Sequence, residues 1–465
     1  VKSFLQRWLP WLFGKPAPRR AMGHPASAPS AERRAPLPSA DGEAKAASEL
    51  TTISARRPLI ASSGAVAGFE FRIGEDVARH LKRQSDAYAR SARVAALLTA
   101  AYGIGQTGRI GFARMPAWWL VHAAEANVGP GVLIGLESMP SVVPIPQSSA
   151  AIEQAVLVLR AKGVQVGWEP DFDGHMLPDF VMLRQGASAM STLLDSIHTW
   201  PATWQSLPIL VTDISDVEEL EMALYNGVTY ACGVLDRDAV SATASAQSPV
   251  PPEVRRVGLL LNQLVAGADT AVIVDEIKGD VGLSYRLLRL INNSSYAQLG
   301  SHASVEQAVL LLGRYELYRW LSMLLVEFAG SRKAASALQE LTLWRSRLME
   351  LVAIEKHENA PDQFFTLGLA SMLGQLLKIS QAEVVSTLNL PAPASQALLE
   401  GTGPWQPYLA MAQHLEARTP DLTVELAPHF RDTARLLMLS DQAWHWAAEQ
   451  TALSNVPASP SGVTA

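Results

Sequence analysis

The sequence predicts an α/β unit followed by an all-α unit within one chain of 465 residues. Three observations predict it. Between residues 51 and 240, short apolar runs alternate with helix-period runs, which is the pattern of repeated βα units and hence of a parallel sheet or barrel. From 254 to 453 the apolar period is helical almost throughout, with little strand signal. Between the two, "SATASAQSPVPPE" (Ser241 to Glu253) joins small polar residues to a proline cluster and reads as an interdomain linker.

Residues 1–50 open on "VKSFLQRWLPWLFGKPAPRR", with five basic side chains (Lys2, Arg7, Lys15, Arg19, Arg20), no acid, and Trp8, Trp11 and Phe13 among its apolar ones. Arg7 and Pro10 interrupt the apolar core that a secretory signal needs. Two alternatives stand: a short interfacial segment in weak contact with a membrane surface through residues 1–20, or a docking peptide or disordered start. Pro16 to Ser48 has almost no large apolar side chains and cannot offset its ordering entropy, so it is expected to be a tether. The tail, 454–465, reads the same way. The expected division is therefore tether 1–50, α/β unit 51–240, linker 241–253, helical unit 254–453 and tail.

In the α/β unit, strands are expected at Arg109–Phe112, Val132–Leu136, Val164–Gly167, Phe180–Leu183, Ile209–Val211 and Thr229–Ala231. Helices are expected at "AAIEQAVLVLRAKG", where Ile152, Ala155, Val156 and Leu159 share a face and Gly163 makes the stop, at "MSTLLDSIHTW" and at "DVEELEMALYNG". In the helical unit, Val254, Val257, Leu260, Leu261 and Leu264 mark one helix. Leu283, Leu287, Leu288 and Ile291 mark another. A third carries Val305, Ala308, Val309 and Leu312, and a fourth Leu317, Leu321, Leu324, Leu325 and Phe328.

Composition excludes several function classes. A net charge of −6 offers no basic domain for nucleic acid. A single cysteine, Cys232, cannot form an intramolecular disulfide, so a reducing cytoplasm is the expected location, with a peripheral place at the inner membrane surface if the N-terminal segment anchors. No run approaches the ~18 apolar residues of a membrane-spanning helix. The ten histidines form no HExxH, His-Asp or HxH pattern, so no metal or other cofactor is expected. There is no GxSxG elbow, and Cys232 in "TYACGVL" reads as a buried strand end, hence inert. "GIGQTG" (Gly103 to Gly108) lacks the P-loop pattern and precedes a strand. Glu169, Asp171 and Asp173 are the densest carboxylates after a strand, yet Pro170 and Gly174 favour a solvated turn over catalytic acids.

The stretch Gly279 to Leu321, "GDVGLSYRLLRLINNSSYAQLGSHASVEQAVLLLGRYELYRWL", resembles the HDOD family, a bacterial signalling domain related to HD-type metal phosphohydrolases. Asp280, Leu283, Leu287, Leu288, Asn292, Ser294, Ser304, Ala308, Leu312 and Gly313 carry the likeness. Hydrolytic relatives would hold metal through a His and a His-Asp pair where this chain has Arg345 and then Ser371 and Met372. The resemblance therefore implies a lost metal site.

Residues 51–240 resemble, more weakly, the EAL domain of cyclic di-GMP phosphodiesterases, a modified βα barrel. "RRPLIASSGAVAGFEFRI" (Arg56 to Ile73) matches its opening hairpin, with Glu70 at a metal-ligand position and Glu137 in "LIGLESM" at a second family glutamate. The strand that should bear Asn is "GRIGFARMP". The Asp-Asp-Phe-Gly element is degenerate in "VGWEPDFDG", Met182 or Leu183 stands at the Lys position, and Cys232 replaces Gln. The unit is short for such a barrel, so trimmed βα elements are expected.

A degenerate EAL-like barrel followed by an HDOD domain implies a catalytically inactive regulator or scaffold. It is expected to act by protein–protein contact, in cyclic di-GMP-linked signalling or motility control, with homodimerisation implied by the resemblance alone. The alternative is a cyclic di-GMP sensor in which Arg56, Arg57 and Arg72 near Glu70 grip phosphate, and the last in order is an active phosphodiesterase. For partner contact, the polar break "NNSSYAQLGS" offers Asn292, Asn293 and Ser294, although a turn capping the preceding helix explains it as well. Trp118, Trp119, Trp444 and Trp446 read as core or as interface anchors.

Overall fold

The computed structural model describes residues 53–454 apart from 74–86, 124–125, 138–148, 173–175, 187, 236–250, 293–303, 328–331, 378, 417–429 and 431–432. The expected tether 1–50, the proposed membrane contact of residues 1–20, the tail from 455 and most of the linker lie outside the described residues.

Eight strands close into a barrel in sequence order. Strands β1 (Ile53–Ala61) and β2 (Val66–Ile73) form an antiparallel hairpin, and β1 also runs antiparallel to β8 (Tyr230–Gly233). The strands between, β3 (Ile110–Pro116), β4 (Val132–Glu137), β5 (Gln165–Trp168), β6 (Val181–Arg184) and β7 (Ile209–Ile214), pair in parallel from β2 onward. The crossovers carry α1 (Ala87–Gly105), the short α2 (Leu120–Ala123), α3 (Ser149–Ala161), α4 (Met190–Asp195) with α5 (Ala202–Gln205), and α6 (Val217–Tyr225). The closed barrel has eight strands, and among the described residues no helix occurs between β5 and β6.

Strand alternation sorts the side chains into two sets. One set, Leu59, Phe112, Leu133, Phe180, Met182, Leu210 and Cys232, fills the barrel interior as a dry plug. The other, including Phe69, Phe71, Val132, Ile134, Val166 and Val211, faces the surrounding helices and belongs to the larger core.

The second half is helical: α7 (Pro252–Val265), α8 (Thr270–Lys278), α9 (Val281–Asn292), α10 (Val305–Glu327), α11 (Ala335–Glu355), α12 (Pro361–Leu377), α13 (Gln381–Thr387), α14 (Ala392–Ser395), α15 (Gln406–Glu416) and α16 (Thr433–Ser454). Local signals set several of its ends. Asp269 caps α8, Ser380 and Glu383 form a capping box on α13, and Asp280 accepts from Leu283 N at the start of α9. The predicted third and fourth helices are the two arms of α10, broken at Gly313, whose φ of 71° suits glycine. Helix α11 lies at the centre of this half, packed against α12 and α16 and buried on most sides through Leu338, Leu341, Trp344, Leu348 and Val352.

The two halves share an interface. Glu221 of α6 accepts from the backbone N–H groups of Lys333 (3.2 Å) and Ala334 (2.7 Å), so a barrel carboxylate satisfies donors at the N-terminus of α11. Phe69 of β2 meets Trp444 edge-on at 4.9 Å between centroids, and Trp444 stacks on Trp344 at 4.9 Å. Arg109 pairs with Glu340 at 2.8 Å. Gly64, at the β1–β2 turn, sits so near Lys333 that an added Cβ would lie 1.5 Å from its carbonyl oxygen, and only glycine fits. Trp119 and Trp444 are buried, as core residues are.

Candidate functional site

The charged residues of the α/β half converge at one end of the barrel. In β3 the plug residue Phe112 is followed two positions later by Arg114; in β6 Met182 is followed by Arg184; in β4 Leu133 is followed at four by Glu137. Each pair points inward by the two-residue period. In the antiparallel β1 the order reverses, and Arg57 precedes Leu59. The result is a polar layer over the apolar plug, at the carboxyl ends of the parallel strands, where barrels place their sites.

Arg114 is the centre of this layer, and its side chain is only 2% exposed. Its Nε lies 2.9 Å from Glu137 Oε1 and 3.6 Å from Glu70 Oε1, and its Nη1 donates to Asp213 Oδ2 at 3.0 Å. Arg57 Nη1 approaches Glu70 Oε2 at 3.4 Å and Asp213 Oδ1 at 3.7 Å. Arg72 stands 3.9 Å from Glu70 and 3.7 Å from Asp213. At the rim, Arg184 pairs with Glu169 at 2.9 Å and reaches Glu137 at 3.9 Å, beside a cavity of about 280 Å³ lined by Glu169, Pro170, Asp171, Met182, Leu183 and Arg184. Glu70 Oε1 is buried and accepts no directed hydrogen bond, so its contacts with Arg114 and Arg72 are Coulombic.

The titrations follow from this packing. Burial works against the charged form of Arg114, but Glu70, Glu137 and Asp213 outweigh it and raise its pKa. Burial likewise pushes Asp213 up, and Arg114, Arg72 and Arg57 overcome it, leaving the carboxyl below its ordinary value. For Arg57 burial prevails over Glu70 and the pKa is lowered, although an arginine remains cationic. Burial raises the Cys232 thiol well above its usual value, as expected of an inert core cysteine.

The EAL resemblance puts Glu70 at a metal-ligand position and Glu137 at a second family glutamate, with the companion ligands lost. The donor set does not fit a pair of divalent ions. Glu70, Glu137 and Asp213 all face Arg114, and a dication would have to displace a buried guanidinium that three carboxylates hold. Among the described residues, no group of three or more His, Cys, Asp or Glu is placed to hold a metal ion.

A second polar site lies in the helical half. Arg345 of α11 makes two parallel hydrogen bonds to the Glu416 carboxylate at the end of α15, Nε to Oε1 at 2.9 Å and Nη2 to Oε2 at 2.6 Å. Its Nη1 donates to Ser371 Oγ of α12 at 3.1 Å. Arg345 and Ser371, singled out by sequence as substituted ligand positions, therefore stand together, while Met372 is fully buried in the apolar core.

Glu70, Glu137, Arg57 and Arg72 all enter the barrel layer. Arg56 does not, which corrects the grouping of three arginines around Glu70. Its neighbour Arg57 points inward, so alternation turns Arg56 outward onto Asp441 of α16 and the Phe71 ring. Asn292 ends α9, and Asn293 and Ser294 lie outside the described residues. Glu169 to Phe172 forms the expected turn, closed by Phe172 N to Glu169 O at 3.0 Å, yet Glu169 also joins the rim. Sequence reasoning missed Arg114, Arg184, Asp213 and Glu416. Strand parity with Phe112 and Met182 could have found the first two. Asp213 enters the layer at an irregularity in β7 with φ of 62°, and no local signal marks it or Glu416.

Comparison with known proteins gives three findings. Residues 249–392 match the HDOD domain family model. Among curated proteins, the chain is 31% identical over 171 residues to the uncharacterized protein YuxH of Bacillus subtilis, covering 36% of this chain and 42% of that one. It is 33% identical over 138 residues to the cyclic di-GMP phosphodiesterase CdgJ of Vibrio cholerae, covering 30% and 32%. The matches thus span less than half of either relative. Among solved structures, an EAL domain protein from Listeria monocytogenes is similar at a TM-score of 0.31 and 12% identity, covering 43% of this chain and 92% of that one. The FimX EAL domain from Pseudomonas aeruginosa is similar at 0.28 and 10%, covering 42% and 94%. Scores this low carry neither substrate nor mechanism. Residues 249–392 are an HDOD domain, joined in this chain to a closed eight-stranded barrel of the α/β type.

Proposed function

We propose that this chain is a non-hydrolytic component of cyclic di-GMP-linked signalling that acts by holding a protein partner. The link to cyclic di-GMP rests on the HDOD domain and on the partial likeness to CdgJ. The observation that carries the non-hydrolytic reading is Arg114. Its guanidinium stands among the three carboxylates at the barrel mouth, so the acids that could gather metal or activate water are engaged by a fixed cation. Phosphodiester hydrolysis by two metals needs several ligands to hold ions about 3.5–4 Å apart, and this layer offers paired acids instead.

The sensing alternative requires phosphate groups to draw Arg57, Arg72 or Arg114 away from Glu70 and Asp213. Four arginines and four carboxylates of the layer (Arg57, Arg72, Arg114, Arg184; Glu70, Glu137, Glu169, Asp213) balance one another, which favours the scaffold reading. Purified protein incubated with cyclic di-GMP and Mg²⁺ or Mn²⁺ should release no product above a Glu70→Ala control. Turnover above that control would overturn the proposal. Calorimetry with cyclic di-GMP should show no heat of binding, and a saturable isotherm would establish the sensor reading instead.

A further inference from the structure

The barrel mouth and the Arg345 site are joined by one side chain. Arg57 turns its Nη1 toward Glu70 and Asp213 in the barrel, and its Nε donates to the main-chain oxygen of Glu416 at 3.2 Å. Glu416 is the last described residue of α15. The side chain of the same residue is held by Arg345 of α11, which in turn bonds Ser371 of α12. The end of α15 is thus gripped twice, at its main chain by the barrel and at its side chain by the helical core. Arg57 is 1% exposed, Arg345 0% and Glu416 3%, so water does not replace any of these contacts cheaply.

We infer that Arg57 is a positioning residue that makes the hold on α15 depend on the state of the barrel mouth. The guanidinium is planar and rigid, and its donors have fixed directions. It cannot follow a displaced Glu70 or Asp213 and keep its Nε on Glu416. A change that withdraws those carboxylates, or offers Arg57 another anion at the mouth, therefore loosens the C-terminal turn of α15 with no substitution in the helical half. The coupling stands on this geometry and holds whether or not the mouth has any catalytic role.

Hydrogen exchange of the full chain tests it. Glu70→Gln and Asp213→Asn keep side-chain shape while weakening the grip on Arg57, and Arg57→Met removes the link. Each should speed amide exchange in the last turn of α15 by about tenfold, the scale of a lost local hold. Met182→Ala, which opens the apolar plug below, serves as a control that destabilises the barrel without touching Arg57. It should leave the last turn of α15 unchanged relative to the rest of α15. Unchanged exchange in both isosteric variants, or equal acceleration in Met182→Ala, would overturn the inference. Should Arg57→Met fail to fold, the two isosteric variants and the control decide the matter alone.

Discussion

The polar layer of the barrel and the Arg345 site both set buried guanidinium groups against carboxylates, but they are built differently. The barrel layer is a network: Arg114 faces three carboxylates, Arg57 and Arg72 share two of them, and the outer members Glu137 and Arg184 are 27% and 45% exposed. The helical site is a single bidentate pair, with both side chains almost wholly buried (0% and 4%). A network near solvent spreads each charge over several partners, so that losing one leaves others. Breaking a deeply buried bidentate pair leaves its remaining charge with a large desolvation penalty.

The difference orders the mutational effects. Arg345→Met should be the most damaging single change, costing about 3–5 kcal/mol because the Glu416 charge is left buried. Thermal or urea unfolding measures it, and Arg345→Met/Glu416→Leu should recover most of the loss. Arg114→Ala should cost less, about 2–3 kcal/mol, since Arg57 and Arg72 still face Glu70 and Asp213. Its deficit should shrink as pH falls, because protonation relieves the uncompensated acids. Equal losses for the two variants would remove the contrast between network and pair.

A finer effect concerns acid stability. The Asp213 carboxyl is held below its ordinary value of 3.8, so its contribution is full above that pH and is lost as pH falls through the lowered value. Unfolding followed between pH 5 and 2 should show a steepening below 3.8 that Asp213→Asn flattens. The smallest effect is expected for Arg184→Ala. In this rim ion pair Arg184 is 45% exposed and Glu169 14%, so its removal should change stability by about 1 kcal/mol, and less in high salt.

Much of the fold was legible in advance. The six predicted strands appear within a few residues, because apolar runs between turn signals are a local property. The break in α10 fell at Gly313 for the same reason. Legibility declined where convergence mattered. Glu70 and Arg57 stand out by their place in the hairpin, but the hairpin alone does not separate Arg57 from Arg56, which strand alternation turns outward. Glu169 lies in the turn its neighbours predict, while its pairing with Arg184 depends on the neighbouring strand.

The amino-acid sequence by itself determined the order of elements and the division into an α/β half and a helical half. These depend on residue type and on periods of two or 3.6, which a chain carries without reference to distant parts. Only the tertiary structure decided that Arg114 stands among three carboxylates, that Asp213 turns inward at φ of 62°, and that Arg57 reaches Glu416, 359 positions away. Charges buried together are matched in space, where closure of the barrel and packing of α15 bring them within reach, and no local pattern records that match.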